Sequence, residues 1–251
     1  MYGFWYIVLS IMKMEGEDVS MIYITGDTHG MEDWEKINTS NFPEQKHMNA
    51  EFDYLIIAGD FGGVWDGSDT DVYIQNAYEQ RNFTTLFIDG NHENHDLLDK
   101  YPVEEWHGGK VHKISDRIFH LMRGQVYMID EITFFTMGGA ESTDKQYRKE
   151  SESWWARELP SDEEYRKAID NLRKVDFKVD VVLTHCAPEG YIGKEMSGVV
   201  DRSGNRLTRF LDSLIVDCGL KSKHWYFGHY HRDMDWENFS LMFNRVKVLI
   251  F

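Results

Sequence analysis

Short apolar runs recur along the chain, with polar stretches of helical spacing between them. Met21–Thr25 (MIYIT) opens the series. Tyr54–Ala58 (YLIIA), Thr85–Asp89 (TLFID), Val179–Thr184 (VDVVLT) and His224–Phe227 (HWYF) each read as a buried strand. Between them, Thr70–Arg81, Asp162–Lys174 and Arg206–Val216 predict helices, and Ser161-Asp162-Glu163-Glu164 after Pro160 supplies a helix start. This alternation predicts an α/β core. The middle differs. Val111–Ile114, Arg117–Met122, Gln125–Ile129 and Ile132–Met137 follow one another with short polar breaks and predict antiparallel strands. Asp235–Phe251 also reads as strands. The expected core is two mixed sheets with helices outside. No linker divides Met21–Phe251, so one domain is expected there.

The buried runs share a feature: each leads into a residue able to bind metal, usually through glycine. In chain order these are Gly26-Asp27, Gly59-Asp60, Gly90-Asn91, Thr184-His185 and Gly228-His229. Two continue with a further donor, as Asp27-Thr28-His29 and His229-Tyr230-His231. In open α/β sheets, sites form beyond the carboxyl ends of strands, and glycine permits the sharp turn there. In extended backbone, positions i and i+2 share a face, so Asp27 and His29 are expected to grip one ion. One Gly-Asp after a strand is ordinarily a turn, and one strand-end histidine is ordinarily structural. Seven donors at five strand ends point instead to a shared centre. Oxygen and imidazole donors without thiolate suit Mn, Fe or Zn at a hydrolytic centre better than a cysteine-rich structural zinc site.

Composition narrows the partners. The 251 residues carry 27 Lys and Arg against 43 Asp and Glu, a net charge of −16. So acidic a chain is ill suited to wrapping duplex nucleic acid. Phosphate substrates stay open, because a metal supplies local positive charge. The two cysteines, Cys186 and Cys218, form no disulfide framework, and a reducing, cytoplasmic setting is expected. The apolar opening MYGFWYIVLSIM is shorter than the roughly 20 residues of a membrane span, so no stable membrane insertion is expected. Residues 1–20 read as an extension, mis-started or without function, ahead of a catalytic domain at 21–251.

The motifs GDTHG, GDFGG, GNHE, TH (Thr184-His185) and GHYH, in this order, resemble the calcineurin-like metallophosphoesterase family across essentially Met21–Phe251. The resemblance implies a four-layer sandwich of two mixed sheets flanked by helices, with two divalent or trivalent metal ions at the strand ends. It implies that Asp27, His29 and His231 bind one metal, that Asn91, His185 and His229 bind the other, and that Asp60 bridges them. His92 would assist catalysis without binding metal. The implied reaction is in-line attack on a phosphomonoester or phosphodiester by a hydroxide that bridges the metals.

One motif departs from the family's protein phosphatases, which carry Asp-Arg-Gly after the Gly-Asp. Here Gly63 stands in the aspartate's place and no arginine follows. Small phosphoesters are therefore expected as substrates, with a Ser/Thr-type protein phosphatase or a nucleotide-polyphosphate hydrolase as alternatives. A metal-dependent nuclease acting on short single strands is a further alternative, and a protein-binding scaffold on the same fold is the non-enzyme one. Asp66 is a candidate to orient His92, or else a solvated loop residue. Arg148 or Lys145 in the polar loop after Gly139 is a candidate phosphate contact. Trp154 and Trp155 either stack on a base or pack that loop onto the core. Trp106 and His107 are candidates for the pocket wall. Cys186 reads as a small buried neighbour rather than a nucleophile. Oligomeric state is left open.

Overall fold

The computed structural model describes residues 20–194 and 204–250. The expected N-terminal extension falls on residues 1–19, outside the described residues, apart from its last position. Strand residues alternate between two apolar surroundings. In β1 (Ile22–Thr25), Ile22 and Ile24 face one core while Tyr23 faces another. In β2 (Tyr54–Ile57), Tyr54 and Ile56 likewise oppose Leu55 and Ile57. Both faces are covered, which is why these strands read as unbroken apolar runs.

The remaining strands are β3 (Thr84–Phe87), β4 (Val103–Trp106), β5 (Gly109–Lys113), β6 (Ile118–Leu121), β7 (Gln125–Ile129) and β8 (Ile132–Met137). They are followed by β9 (Lys178–Thr184), β10 (Lys221–Phe227), β11 (Met234–Trp236), β12 (Phe239–Leu241) and β13 (Lys247–Val248). One sheet runs β13-β1-β2-β3-β6-β5-β4, the other β11-β12-β10-β9-β8-β7. Their facing sides share a core that includes Ile24, Ile56, Leu86, Phe134, Val181 and Leu183. Helix α1 (Asp69–Glu79) buries Ile74 and Tyr78 with Leu55, Ile57 and Phe87 on the outer side of the first sheet. Helices α2 (Asp162–Lys174) and α3 (Arg206–Val216) bury Leu172 and Leu211 with Val182 and Phe227 on the outer side of the second. The result is the expected α/β sandwich of two mixed sheets flanked by helices. Reciprocal capping boxes, Ser161 with Glu164 and Asn205 with Thr208, set the starts of α2 and α3.

The middle of the chain differs from the antiparallel run read from the sequence. β5 with β6 and β7 with β8 are antiparallel, but β6 pairs parallel with β3 and β8 parallel with β9. β6 and β7 lie in different sheets, so the chain crosses between layers at Met122–Gly124. Trp106 and His107, read as candidates for the pocket wall, lie at the tip of a β4–β5 hairpin whose turn is His107-Gly108. β1, β2 and β3 run parallel, as do β9 and β10. Their carboxyl-end loops carry the seven candidate donors. Among the described residues, no helix is long and apolar enough to cross a membrane.

Candidate metal centre

Donor atoms of Asp27, His29, Asp60 and His231 all lie within 4.8 Å of one another. His231 Nε2 is 3.2 Å from Asp27 Oδ2, and His29 Nε2 is 3.2 Å from Asp60 Oδ2. On the other side, His185 Nε2 lies 3.3 Å from the same Asp60 oxygen and 3.3 Å from Asn91 Oδ1. The His229 ring packs edge-on against His185 at 5.1 Å, and the His229 N–H donates to Asp27. Asp60 is thus approached from both groups of donors. Asp27, Asp60 and His185 are 0–1 % exposed, whereas the His231 side chain is 51 % exposed.

Electrostatics within the cluster are lopsided. Burial works to raise the Asp60 carboxyl, but His185 and His29 overcome it and hold it well below the usual carboxylate range. Burial works to lower His185, but Asp60 and Asp27 raise it to about 10. His29 is held up at about 9 for the same reason, with help from Asp33. His229 goes the other way, pushed to about 4 by burial and the His185 charge. In the protein alone, imidazole charge balances two buried carboxylates. The donors fit metal on geometry as well. His185 Nδ1 meets the Ala58 carbonyl at 2.8 Å, which keeps an N–H there and turns Nε2 into the cluster, where loss of its proton would free a lone pair for a metal.

The backbone is bent to achieve this. His29, Asp60, His229 and His231 have φ of +42°, +53°, +70° and +49°, a left-handed region that L-residues rarely occupy. The extended i, i+2 geometry expected for Asp27 and His29 therefore does not hold. β1 ends at Thr25, and the pair meets through a turn closed by Thr28 and His29 N–H bonds to the Asp60 carbonyl. The strand-end glycines provide clearance. A Cβ on Gly90 would stand 2.0 Å from Asp60 Oδ1 and 2.7 Å from His185 Nε2.

Several residues that sequence reasoning missed hold the donors in place. Asp33 Oδ2 accepts from His29 Nδ1 at 2.6 Å. Lys36 is buried, lowered to about 8 by that burial, and donates to the Asp27 and Phe243 carbonyls. Glu93, the last residue of GNHE, accepts from the N–H groups of Phe61 at 2.6 Å, Gly62 at 3.3 Å and Gly90 at 2.5 Å, tying the Asp60 loop to the Asn91 loop. Burial and the Asp60 charge push its carboxyl up to about 8, against those three donors. Asp89 anchors the Asn91 loop from below through Arg123, whose Nε and Nη2 donate to Asp89 Oδ2 at 2.8 and 2.5 Å. The signal for Asp33 was a carboxylate four residues beyond a candidate donor histidine; Arg123 left none.

Carboxylates that orient ligand histidines typically contribute about 10–100-fold in metal affinity. Asp33→Ala is accordingly expected to weaken Mn²⁺ binding by about that factor while leaving the thermal midpoint of the metal-free protein within a few degrees. Metal titration followed by calorimetry checks this, and unchanged affinity would remove Asp33 from the role.

The other candidates scatter. His92 stands beside the cluster: its N–H donates to Asp60 Oδ1 at 2.8 Å, and its ring lies 5.3 Å from His29 and stacks on Trp65. Asp66 is exposed and turned onto the Ser68 N–H, not onto His92. Arg148 pairs with Asp144 at 2.8 Å, and its charge reaches His92. Lys145 pairs with Glu141. Trp155 is buried and donates to Asp96, packing its loop onto the core. Trp106 and His107 are not brought to the cluster. Trp106 packs in the inter-sheet core against Tyr54 and Phe119, and His107 meets the Met128 carbonyl. Cys186 is buried, which pushes its thiol up to about 12 and away from nucleophilic use.

A groove of about 780 Å³ leads away from His29, His92 and His231. Met31, Trp65, Ile74 and Phe243 give it apolar patches, and Glu32, Asp33, Asp66 and Asp71 give it carboxylates. Among the described residues, its lining contains no lysine or arginine.

A family model described as calcineurin-like phosphoesterase matches residues 20–233. The chain belongs to the calcineurin-like phosphoesterase family. No curated protein matches it in a sequence comparison. Among solved structures it is similar to a phosphopantetheinyl hydrolase from Mycobacterium tuberculosis, at 14% identity and TM-score 0.43, with 89% of this chain and 88% of that chain covered. It is also similar to a protein described as a 5′-nucleotidase from Staphylococcus aureus, solved with alpha-ketoglutarate, at 15% identity and TM-score 0.48. That match covers 91% of this chain and 50% of the other, so the chain spans half the length of that protein.

Proposed function

We propose that the chain is a two-metal hydrolase of small phosphoesters. The observation that carries this reading is Asp60, whose single Oδ2 is met at 3.2 Å by His29 and at 3.3 Å by His185, each from a different group of donors. Asp27, His29 and His231 would hold one ion, Asn91, His185 and His229 the other, with Asp60 shared. Mn, Fe or Zn bound there would supply Lewis-acid charge for the phosphoryl oxygens and for activating water.

The chain's own residues do the rest. Buried Asp27 and Asp60 fix the donor set in a rigid wall, so little reorganisation is needed when charge develops. The His92 ring lies at the junction of cluster and groove, where a departing ester oxygen would sit, and it acts there as proton donor or charge stabiliser. Arg148, whose charge reaches His92, would approach a phosphoryl oxygen by exchanging its Asp144 partner. Water attacks in line with the leaving oxygen, so a chiral phosphate substrate should show inversion.

The groove bears on substrate choice. Asp71 is occupied by the N–H groups of Trp65, Asp66 and Gly67, and Asp33 by His29. Asp66 is turned onto the Ser68 N–H, and Glu32 remains to face a leaving group. Such a groove repels further phosphates and accepts neutral or cationic groups with an apolar face. A nucleoside monophosphate or aryl phosphate is expected to exceed the corresponding triphosphate by about 10-fold in kcat/KM, narrowing as salt screens the groove. A panel of phosphomonoesters, phosphodiesters and nucleoside triphosphates with added Mn²⁺ tests this. No hydrolysis of any would sink the enzymatic reading, and a preferred triphosphate would reverse the substrate assignment.

A further inference from the structure

Asn91 can present either the oxygen or the nitrogen of its amide to the cluster, and only the oxygen can serve as a ligand. Which end faces inward must follow from its hydrogen-bond network. That network leads into the loop between β8 and α2. Asn91 Nδ2 donates to Ser142 Oγ at 3.1 Å. Ser142 Oγ donates to Glu158 Oε1 at 2.9 Å, and the Ser142 N–H donates to Glu158 Oε2 at 2.9 Å. All three side chains are at least 95 % buried.

Donor counting then sets the direction. A backbone N–H can only donate, so one Glu158 oxygen is committed to it. Burial raises the Glu158 carboxyl to about 7, and above that pH its other oxygen belongs to an ionised carboxylate that can only accept, so the Ser142 hydroxyl hydrogen must point at Glu158. What Ser142 offers Asn91 is therefore a lone pair, and the amide must answer with its NH₂. Its oxygen is left facing inward, 3.3 Å from His185 Nε2.

We propose that Glu158, acting through Ser142, is a positioning residue that locks the Asn91 amide with its oxygen toward the metal centre. This rests on the reading of Asn91 as a metal ligand. Both Glu158 and Ser142 lie in the loop between β8 and α2, the segment that also carries Arg148 and the buried Trp155.

The test is Glu158→Gln, which keeps the shape and inverts the polarity. The glutamine oxygen must take the Ser142 N–H, so its NH₂ faces Oγ and donates to it. The hydroxyl then turns to donate to Asn91, and the amide oxygen is drawn away from the cluster. Mn²⁺ titration of the full chain, read by calorimetry and by bound-metal stoichiometry, is expected to show one of two sites weakened by about 10–100-fold, with the other unchanged. Ser142→Ala removes the messenger, so adding Glu158→Gln to Ser142→Ala should change the affinity little further. Two sites of wild-type affinity in Glu158→Gln, or an equal loss with and without Ser142, would overturn the proposal. Unfolding midpoints separate these outcomes from misfolding: if Glu158→Gln does not fold, the Ser142→Ala and Ser142→Thr pair decides, with Thr restoring the affinity that Ala loses. Asn91→Ala isolates the underlying reading. If it keeps two metals, Asn91 is not a ligand; if it loses one while Glu158→Gln keeps both, only the positioning role fails.

Discussion

Asparagine at position 60 is expected to lower kcat by about three orders of magnitude and to deplete bound metal from both halves of the centre. The carboxylate is buried, and donors from both groups converge on its Oδ2. An amide keeps the shape and can still accept the His92 N–H, but it removes the negative charge that offsets the cations. Two-metal sites supply several kcal/mol of transition-state charge stabilisation, and about 1.4 kcal/mol corresponds to each tenfold in rate, which gives the expected factor. Steady-state kinetics on an aryl phosphate together with metal analysis checks it. Full activity in Asp60→Asn would remove the bridging assignment and leave two independent sites to explain.

The largest effect on stability is expected at Asp89. Alanine there takes the hydrogen-bonded carboxylate from the buried Arg123 guanidinium, leaving it only the more distant Glu164 at 3.7 Å, and it strips His120 Nε2 of an acceptor at 3.1 Å. Removing one partner of a buried ion pair costs about 3–5 kcal/mol, because the other charge stays uncompensated. For a chain of this size that amounts to a fall in Tm of about 10 °C. Urea unfolding followed by circular dichroism measures it. Joint replacement of Asp89 and Arg123 by leucine and methionine should recover much of the loss, since an apolar pair needs no counter-charge. A single alanine that unfolds like the wild type would mean that water reaches Arg123.

Much of this was legible in the residues. α2 and α3 match their predicted bounds because Ser161 and Asn205 mark the starts locally; β7 matches because its alternation is uninterrupted, and β8 because its run is bounded by Glu131 and Gly138. β4 was missed because it lies at a sheet edge with three of its four residues exposed, so it carries no alternation. The seven donors were legible because each stands at a strand end behind a short apolar run. Their supports were not. Asp89 with Arg123 and Asn91 with Ser142 and Glu158 are related only through the layer crossing and the folded loop, and chain spacing does not encode that. Trp106 failed as a pocket residue because aromatic content near a motif says nothing about which side of the sheet the ring occupies.

Asp27 and His231 meet across 204 positions of chain, the former after the first strand of one sheet and the latter beyond a central strand of the other. No hairpin or helix pair cut from the sequence contains both. Long-range contacts of this kind form only after the entropy of closing the intervening loop has been overcome. The centre is therefore expected to form late in folding. Its donor set is complete only when the second sheet docks and brings its histidines to the carboxylates of the first.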